Sequence, residues 1–592
     1  MNQIFLPTTE YEMNERGIAQ LDFVLVSADA YIDHHSFAPA LLGRWLNTFG
    51  YTVGIIAQPD FHSAEDFKKL GRPKYAFLVS AGNIDSMVNL YTANKRPRKT
   101  DVYSPGGEVG KRPKRASIVY TNRIKEAYKD VPVIIGGIEP SLRRFAHYDY
   151  WDDRVRQSIL LESGADLLVY GMGEKPLLAL AECFESGMNV RDMTFIPGTC
   201  YLADDLASVY DYIEIPSYEA VSTDKTAYND AFKTQYRNLD FGHARTLVQK
   251  HGVKYLVQNP PSEPLSENEM DTLYGLPFTG KPHFSYTEEI PALDEVQFSI
   301  TANRGCIGGC AFCAIQYHQG RSISKRSKQS ILTEAVKMTE DPEFKGYIHD
   351  VGGPTANFYD AYCMRDMSKP CYRLCLFPDR CKNLNVSHME YLDVLRDLRK
   401  LPRIKKVFIR SGLRFDYMVY DKKSGFIEEL AKHHVSGQLR TAPEHVDCHV
   451  LNLMNKPDNM LYEEFLDLFF KANQKAGKEQ YVIPYFIASH PGSTLESAIM
   501  LAVYLKKNGF IPEQVQDFYP TPGTLSTCMY YTGVHPLTGK KVYVPKSEDE
   551  RQMQRALLQF NKSKNRKWVI AALKKSGRED LIGKGKDCLV SE

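Results

Sequence analysis

The sequence has no apolar run near the roughly 20 residues that a membrane-spanning helix needs. It has almost no net charge: 74 Lys and Arg stand against 72 Asp and Glu, a balance of +2. No global field therefore draws the chain to nucleic acid or to an acidic membrane surface. The first residues, Met1-Asn-Gln-Ile-Phe-Leu-Pro7, lack the basic start and apolar core of a secretory signal. With no export signal, the 12 cysteines of this 592-residue chain read as reduced thiols and metal ligands, not as a disulfide framework. A cytoplasmic location is expected. The length suits two to four domains.

What is present centres on Thr301-Ala-Asn-Arg-Gly-Cys306-Ile-Gly-Gly-Cys310-Ala-Phe-Cys313. The spacing is C-x3-C-x2-C, and the run Val296–Ile300 before it reads as a strand. A [4Fe–4S] cluster normally takes four cysteines, so three leave one iron open to a small molecule. A structural zinc site would want a fourth protein ligand; His318 is the nearby candidate. The three-cysteine arrangement resembles the radical S-adenosylmethionine (SAM) superfamily. That resemblance implies that Cys306, Cys310 and Cys313 hold a [4Fe–4S] cluster whose open iron chelates SAM.

Ahead of this loop, buried strands and apolar-faced helices alternate at the spacing of a doubly wound parallel sheet. Strands are read at Phe23–Ser27, Tyr51–Ala57, Tyr75–Ser80, Val131–Ile135 and Leu167–Tyr170. This half resembles the cobalamin-binding fold found before many radical SAM domains. Asp33-His34-His35-Ser-Phe-Ala38 partly matches a cobalt-ligating loop, but Ala38 replaces its glycine. The expectation is the fold without cobalamin, with His35 unassigned. The basic stretch 94–115 reads as a solvated loop in preference to a phosphate contact. Residues 205–290 read as a polar connector with rigid Pro-rich turns.

From 296 onward strands and helices alternate again, as in a partial (β/α)6 barrel with its chemistry at the carboxyl ends of the strands. By resemblance to radical SAM proteins, Gly352 and Gly353 meet the amino group of SAM through backbone carbonyls. Arg440 and Glu444 are candidates for its carboxylate or ribose. Cys363, Cys371, Cys375 and Cys381 form a second set, suited to an auxiliary iron–sulfur cluster or zinc. The tail over 546–592 is basic, with 12 Lys and Arg against 7 Asp and Glu. Glu548–Leu573 reads as one helix with Trp568 as an apolar anchor.

Taken together the chain resembles the YgiQ-type radical SAM family. The resemblance rests on Ser27–His34, Gly54–Asp60, Leu247–Gly252, Leu256–Pro261, the Cys306 loop and Gly352–Asn357. The expected layout is a doubly wound domain at 1–200, a connector at 201–290, a radical SAM barrel at 291–530 and a basic C-terminal domain at 531–592. The expected function is a radical SAM enzyme that cleaves SAM reductively and abstracts hydrogen from a substrate the sequence does not name. Such an enzyme needs a reductase or a flavodoxin- or ferredoxin-type electron donor. A tRNA methylthiotransferase would hold a second cluster on three N-terminal cysteines, and this half has only Cys183 and Cys200. Two other classes stay open: an iron–sulfur, SAM-binding regulatory or electron-transfer protein without turnover, and a zinc-stabilised nucleic-acid-binding protein.

Overall fold

The computed structural model describes residues 5–365 and 369–591. It divides into two units. The first runs to Ser299 and includes Ala314–Gly320 and Lys369–Cys371; the second takes Ile300–Cys313 and the remainder of the chain.

The first unit is built on a nine-stranded sheet. Its strands are β1 (Phe23–Ser27), β2 (Val53–Ala57), β3 (Ala76–Ser80), β4 (Val133–Gly136), β5 (Leu167–Val169), β6 (Thr199–Ala203), β7 (Tyr212–Ile215), β8 (Thr246–His251) and β9 (Lys254–Gln258). The order is β7-β8-β9-β6-β5-β4-β3-β1-β2. Strands β1 to β5 pair in parallel. Every residue of β1 and β3 is buried, which matches their unbroken apolar sequence and a sheet covered on both faces. The five parallel strands run 5-4-3-1-2, so the winding reverses between β1 and β3. Sheets of this kind bind ligands in the crevice at such a reversal.

At that reversal the protein places charged side chains of its own. Arg112, with a wholly buried side chain, pairs with Asp29 after β1 at 2.6 Å and with Asp101 at 3.3 Å, and donates to the Ala81 carbonyl after β3. Arg112 belongs to the stretch read as a solvated basic loop; burial of this one residue is a correction to that reading. Its neighbours Lys111 and Arg115 pair with Glu108 and with Asp149 and Asp152.

The stretch read as a connector is also different. Strands β7, β8 and β9 lie within it, and β6 begins just before it. Antiparallel pairs β5–β6, β6–β9 and β8–β9 extend the sheet beyond its parallel part. Leu256–Gln258 is strand rather than turn, and the chain reverses at Gly252, where φ is +60°. β7 is an edge strand in which Tyr212 and Ile213 are half-buried, Glu214 is exposed and Ile215 is buried. Its polar content hides the alternation that marks a half-buried strand.

In the second unit β10 (Ser299–Thr301) pairs with β12 (Asp350–Gly352). β11 (Tyr347–Ile348) runs parallel to β13 (Lys406–Val407). β14 (Gln438–Glu444), β15 (Tyr481–Ala488) and β16 (Gln516–Asp517) form a third, parallel sheet. Helices Lys328–Glu340, Met389–Leu398, Asn459–Ala476 and Leu495–Lys507 alternate with them. The alternation is the expected one, but among the described residues these strands fall in three short sheets, beside a fourth two-stranded pairing at the cysteine loop, and form no single six-stranded ladder. Between β13 and β14 the Ile409 N–H donates to the His434 carbonyl, and the chain then turns away through Gly412 and Leu413. Residues 292–296 are helical, not strand, and β10 starts three residues later than that run suggested.

The tail forms two helices, Glu548–Leu558 and Arg566–Lys575, not one. Asn565 donates to the Gln559 carbonyl at 3.0 Å and fixes the corner between them. Leu557, Val569 and Leu573 share one apolar core with Phe486, Leu495 and Ile499, and Trp568 packs against it. The tail therefore has no core separate from β15 and its following helix.

Candidate functional site

The cysteine loop is closed at its base by a short antiparallel pairing, Asn303 with Lys325 and Arg304 with Ser324. Gly305 opens it at φ +81°, and a Cβ there would strike the Ser322 carbonyl, so only glycine fits. Backbone bonds hold the turns from outside. Ala311 N–H donates to the Met454 carbonyl at 2.9 Å, Ser526 N–H to the Ala311 carbonyl at 2.9 Å, and the Asn455 amide to the Gly309 carbonyl at 3.0 Å. Cys306, Cys310 and Cys313 are all half-buried and outside any disulfide.

The Cys306 sulfur accepts from Gly308 N–H at 3.4 Å and lies 3.5 Å from the Thr355 hydroxyl. Burial pushes the Cys306 thiol up; Thr355, the Gly308 amide and Arg414 act the other way. Arg414 Nη1 lies 3.4 Å from the Cys310 sulfur and 3.3 Å from the Gly308 carbonyl. Its other face is held by Asp416, Nε to Oδ1 at 2.9 Å and Nη2 to Oδ2 at 2.5 Å. Burial alone would lower the Arg414 pKa; Asp416 outweighs it and the guanidinium stays charged. The sequence reading missed Arg414. The available signal was its place just past Gly412, after the third expected strand.

The expected glycine turn meets this loop. A Cβ on Gly353 would strike the Asn303 carbonyl, and one on Gly352 would stand 2.6 Å from Ser411 Oγ. The Gly352 carbonyl already accepts Ala302 N–H at 2.6 Å. Arg440 is exposed, on the opposite face of β14 from Thr441, whose hydroxyl bonds Tyr462 of the helix behind at 2.9 Å. Glu444 is buried instead. The β14–β15 register shifts between Thr441 and Glu444, and Glu444 takes φ +70°. Its nearest cation is Lys456, itself 3% exposed, at 3.9 Å. Burial raises the Glu444 pKa, while Lys456 and Arg414 oppose the rise.

In the second cysteine set, Cys381 N–H donates to the Cys375 carbonyl at 2.8 Å, and Cys363 bridges to Leu384. Cys375, Cys381 and Cys306 pack against one apolar cluster of Phe358, Ala361, Leu376, Leu384 and Tyr417. Cys363 is exposed, and Cys371 is counted with the first unit. Among the described residues no three His, Cys, Asp or Glu side chains are gathered as ligands of a single ion. A cubane takes one thiolate per iron, so its ligands spread wider than those of one ion. The half-buried thiols and N–H donors of the Cys306 loop fit that group.

In the first unit Asp33 is engaged by Arg44 at 2.6 and 2.5 Å. His35 is buried, its ring 5.0 Å from Tyr274 and 5.9 Å from Phe278. His318, the alternative zinc ligand, lies 3.0 Å from the Ser141 hydroxyl. Cys200 is buried, which pushes its thiol up to about 12, and Cys183 lies apart on the helix Glu174–Glu185. No helix among the described residues is long and apolar enough to cross a membrane.

Residues 5–299 match the family model "Radical SAM N-terminal". The chain belongs to the UPF0313 family, the YgiQ-type radical SAM family of the sequence reading. A UPF0313 protein of Clostridium botulinum (strain Kyoto / Type A2) is 57% identical over 593 residues, covering 100% of this chain and 92% of that protein. One from Clostridium perfringens (strain ATCC 13124) is 56% identical over 593 residues, covering 99% and 90%. Residues 513–592 match a domain of unknown function, DUF3362. Among solved structures, the radical SAM methyltransferase TsrM from Kitasatospora setae, with cobalamin and a [4Fe–4S] cluster bound, is similar at 14% identity and TM-score 0.48. That match covers 86% of this chain and 76% of that one. The cobalamin-dependent SAM radical enzyme OxsB, with aqua-cobalamin and SAM bound, is similar at 10% identity and TM-score 0.49, covering 96% and 72%.

Proposed function

We propose that this protein is a radical SAM enzyme in which Cys306, Cys310 and Cys313 hold a [4Fe–4S] cluster and SAM. The observation that carries the reading is the closed loop that presents three thiols, with N–H donors of Gly308 and Arg414 on two of the sulfurs. When bound, the cluster supplies the electron that splits the sulfonium of SAM and leaves a 5′-deoxyadenosyl radical to take a substrate hydrogen. The protein's own residues bind, orient and shield. Gly352 and Gly353 bring the backbone of the 352–355 turn against the loop. Arg440 offers an exposed guanidinium for a carboxylate. Glu444 and Lys456 offer buried polar groups for the ribose or amino-acid part. Phe358, Leu376 and Tyr417 wall one side of the Cys306 loop with apolar surface and help to keep water out. Cys363, Cys371, Cys375 and Cys381 remain the ligand set proposed for a second metal site.

Anaerobic purification with an iron and sulfide count tests this, beside a Cys306/Cys310/Cys313→Ala triple variant. About four of each per chain, lost in the variant, is the result expected for one cluster. About eight, falling to about four, adds an auxiliary cluster on the second set. Release of 5′-deoxyadenosine from SAM under reduction then separates an enzyme from a binding protein. A wild-type preparation with zinc and no iron overturns the reading.

A further inference from the structure

Arg414 is 6% exposed, yet its guanidinium touches the cysteine loop at two points, the Gly308 carbonyl and the Cys310 sulfur. Three contacts fix it there. Asp416 grips two of its nitrogens and sets the plane of the fork. Asn357 bonds both the N–H and the carbonyl of Arg414. Gly308 makes room: a Cβ at that position would stand 2.7 Å from Nη1 and 3.3 Å from the Cys306 sulfur. The other charged groups around it are Glu444 and Lys456.

We propose that Arg414 is a positioning residue that locks Cys310 in place and sets the positive charge felt at the three-thiol loop. The proposal rests on the reading of Cys306, Cys310 and Cys313 as cluster ligands. Iron–sulfur potentials respond to net charge, to hydrogen bonds on the sulfurs and to burial. A buried cation that donates to a ligating sulfur favours the reduced form, which carries one more negative charge. Arg414 therefore raises the midpoint potential, and its loss lowers it. Lysine keeps the charge but not the fork, so it cannot hold Asp416 at two points and still reach both loop atoms.

The test compares the full-length wild type with Arg414→Gln, Arg414→Lys and Asp416→Asn, all purified anaerobically. Iron content, the midpoint potential from an EPR-monitored redox titration, and the EPR line shape of the reduced state are read for each. The expected result is a more negative potential and an altered line shape in Arg414→Gln. A smaller shift of the same sign is expected in Arg414→Lys, and a shift of opposite sign, to a less negative potential, in Asp416→Asn, which removes a negative charge and keeps the guanidinium. An Arg414→Gln protein with full iron and wild-type potential and line shape overturns the proposal. If that variant fails to fold or load, Asp416→Asn decides: its unchanged potential and line shape overturn the proposal equally. A wild type without iron defeats the cluster reading itself, an outcome distinct from a loaded cluster whose potential does not move.

Discussion

Asn357 clasps the backbone of Arg414 from both sides: its Oδ1 accepts the Arg414 N–H at 2.9 Å and its Nδ2 donates to the Arg414 carbonyl at 3.1 Å. Asn357 is itself fully buried. Asn357→Ala leaves a buried donor and a buried acceptor without partners. The expected cost is about 2–6 kcal/mol of stability, since each of the two groups costs about 1–3 kcal/mol. Chemical denaturation of the anaerobic protein measures it; a loss under about 0.5 kcal/mol would mean that water replaces the amide.

The glycine turn gives a sharper contrast. Gly353→Ala drives a methyl into the Asn303 carbonyl at the root of the cysteine loop. Gly412→Ala meets nothing closer than the Pro354 carbonyl at 3.8 Å. The first change should lower iron retention and cost about 1–3 kcal/mol, the range for overpacking. The second should leave iron content within error. Equal behaviour of the two variants would contradict the close approach.

The cysteine loop was legible in the sequence because its three thiols are neighbours along the chain. Arg414 was not, because 104 residues separate it from Cys310 and no local pattern marks a contact of that range. Glu444 was named as a candidate from its place in the fourth expected strand, but its burial depends on a register shift within β14 that no periodicity reveals. The parallel core was plain in unbroken apolar strands such as β1 and β3. β7 was hidden because an edge strand with half-exposed Tyr212, Ile213 and exposed Glu214 resembles a loop in composition. The break in the tail was missed because the apolar spacing continues on both sides of Asn565.

Asp360 supplies a pH dependence. Burial raises its carboxyl to about 7, against the Glu390 N–H, which donates to its Oδ2 at 3.3 Å. The folded pKa lies above the unfolded value of about 3.9, so the native state binds the extra proton between them. This contribution to stability is present below about pH 4 and is lost as pH rises through about 7. Asp360→Asn should flatten the fall in Tm between about pH 4 and 7. A wild-type and variant pair with parallel Tm profiles would argue against it.

Two ion pairs in the first unit should differ in weight. The Arg112 side chain is wholly buried against Asp29 and Asp101. Arg72 meets Asp130 at 2.7 Å in the open. Arg112→Ala strands buried carboxylates and should cost about 3–5 kcal/mol. Arg72→Ala should cost less than about 1 kcal/mol. Urea titration of the two variants checks the order.

The seat taken by Arg112 also bears on how the first unit is made. In many sheets of this winding the crevice is completed by a molecule that arrives from solution, so folding waits on supply. Here the cation that meets Asp29 and Asp101 is encoded in the same polypeptide and reaches its seat at an effective concentration that dilution cannot change. These three charges should therefore settle together as soon as residue 112 and its two carboxylates have been synthesised and have met, at a rate that dilution of the protein leaves unchanged.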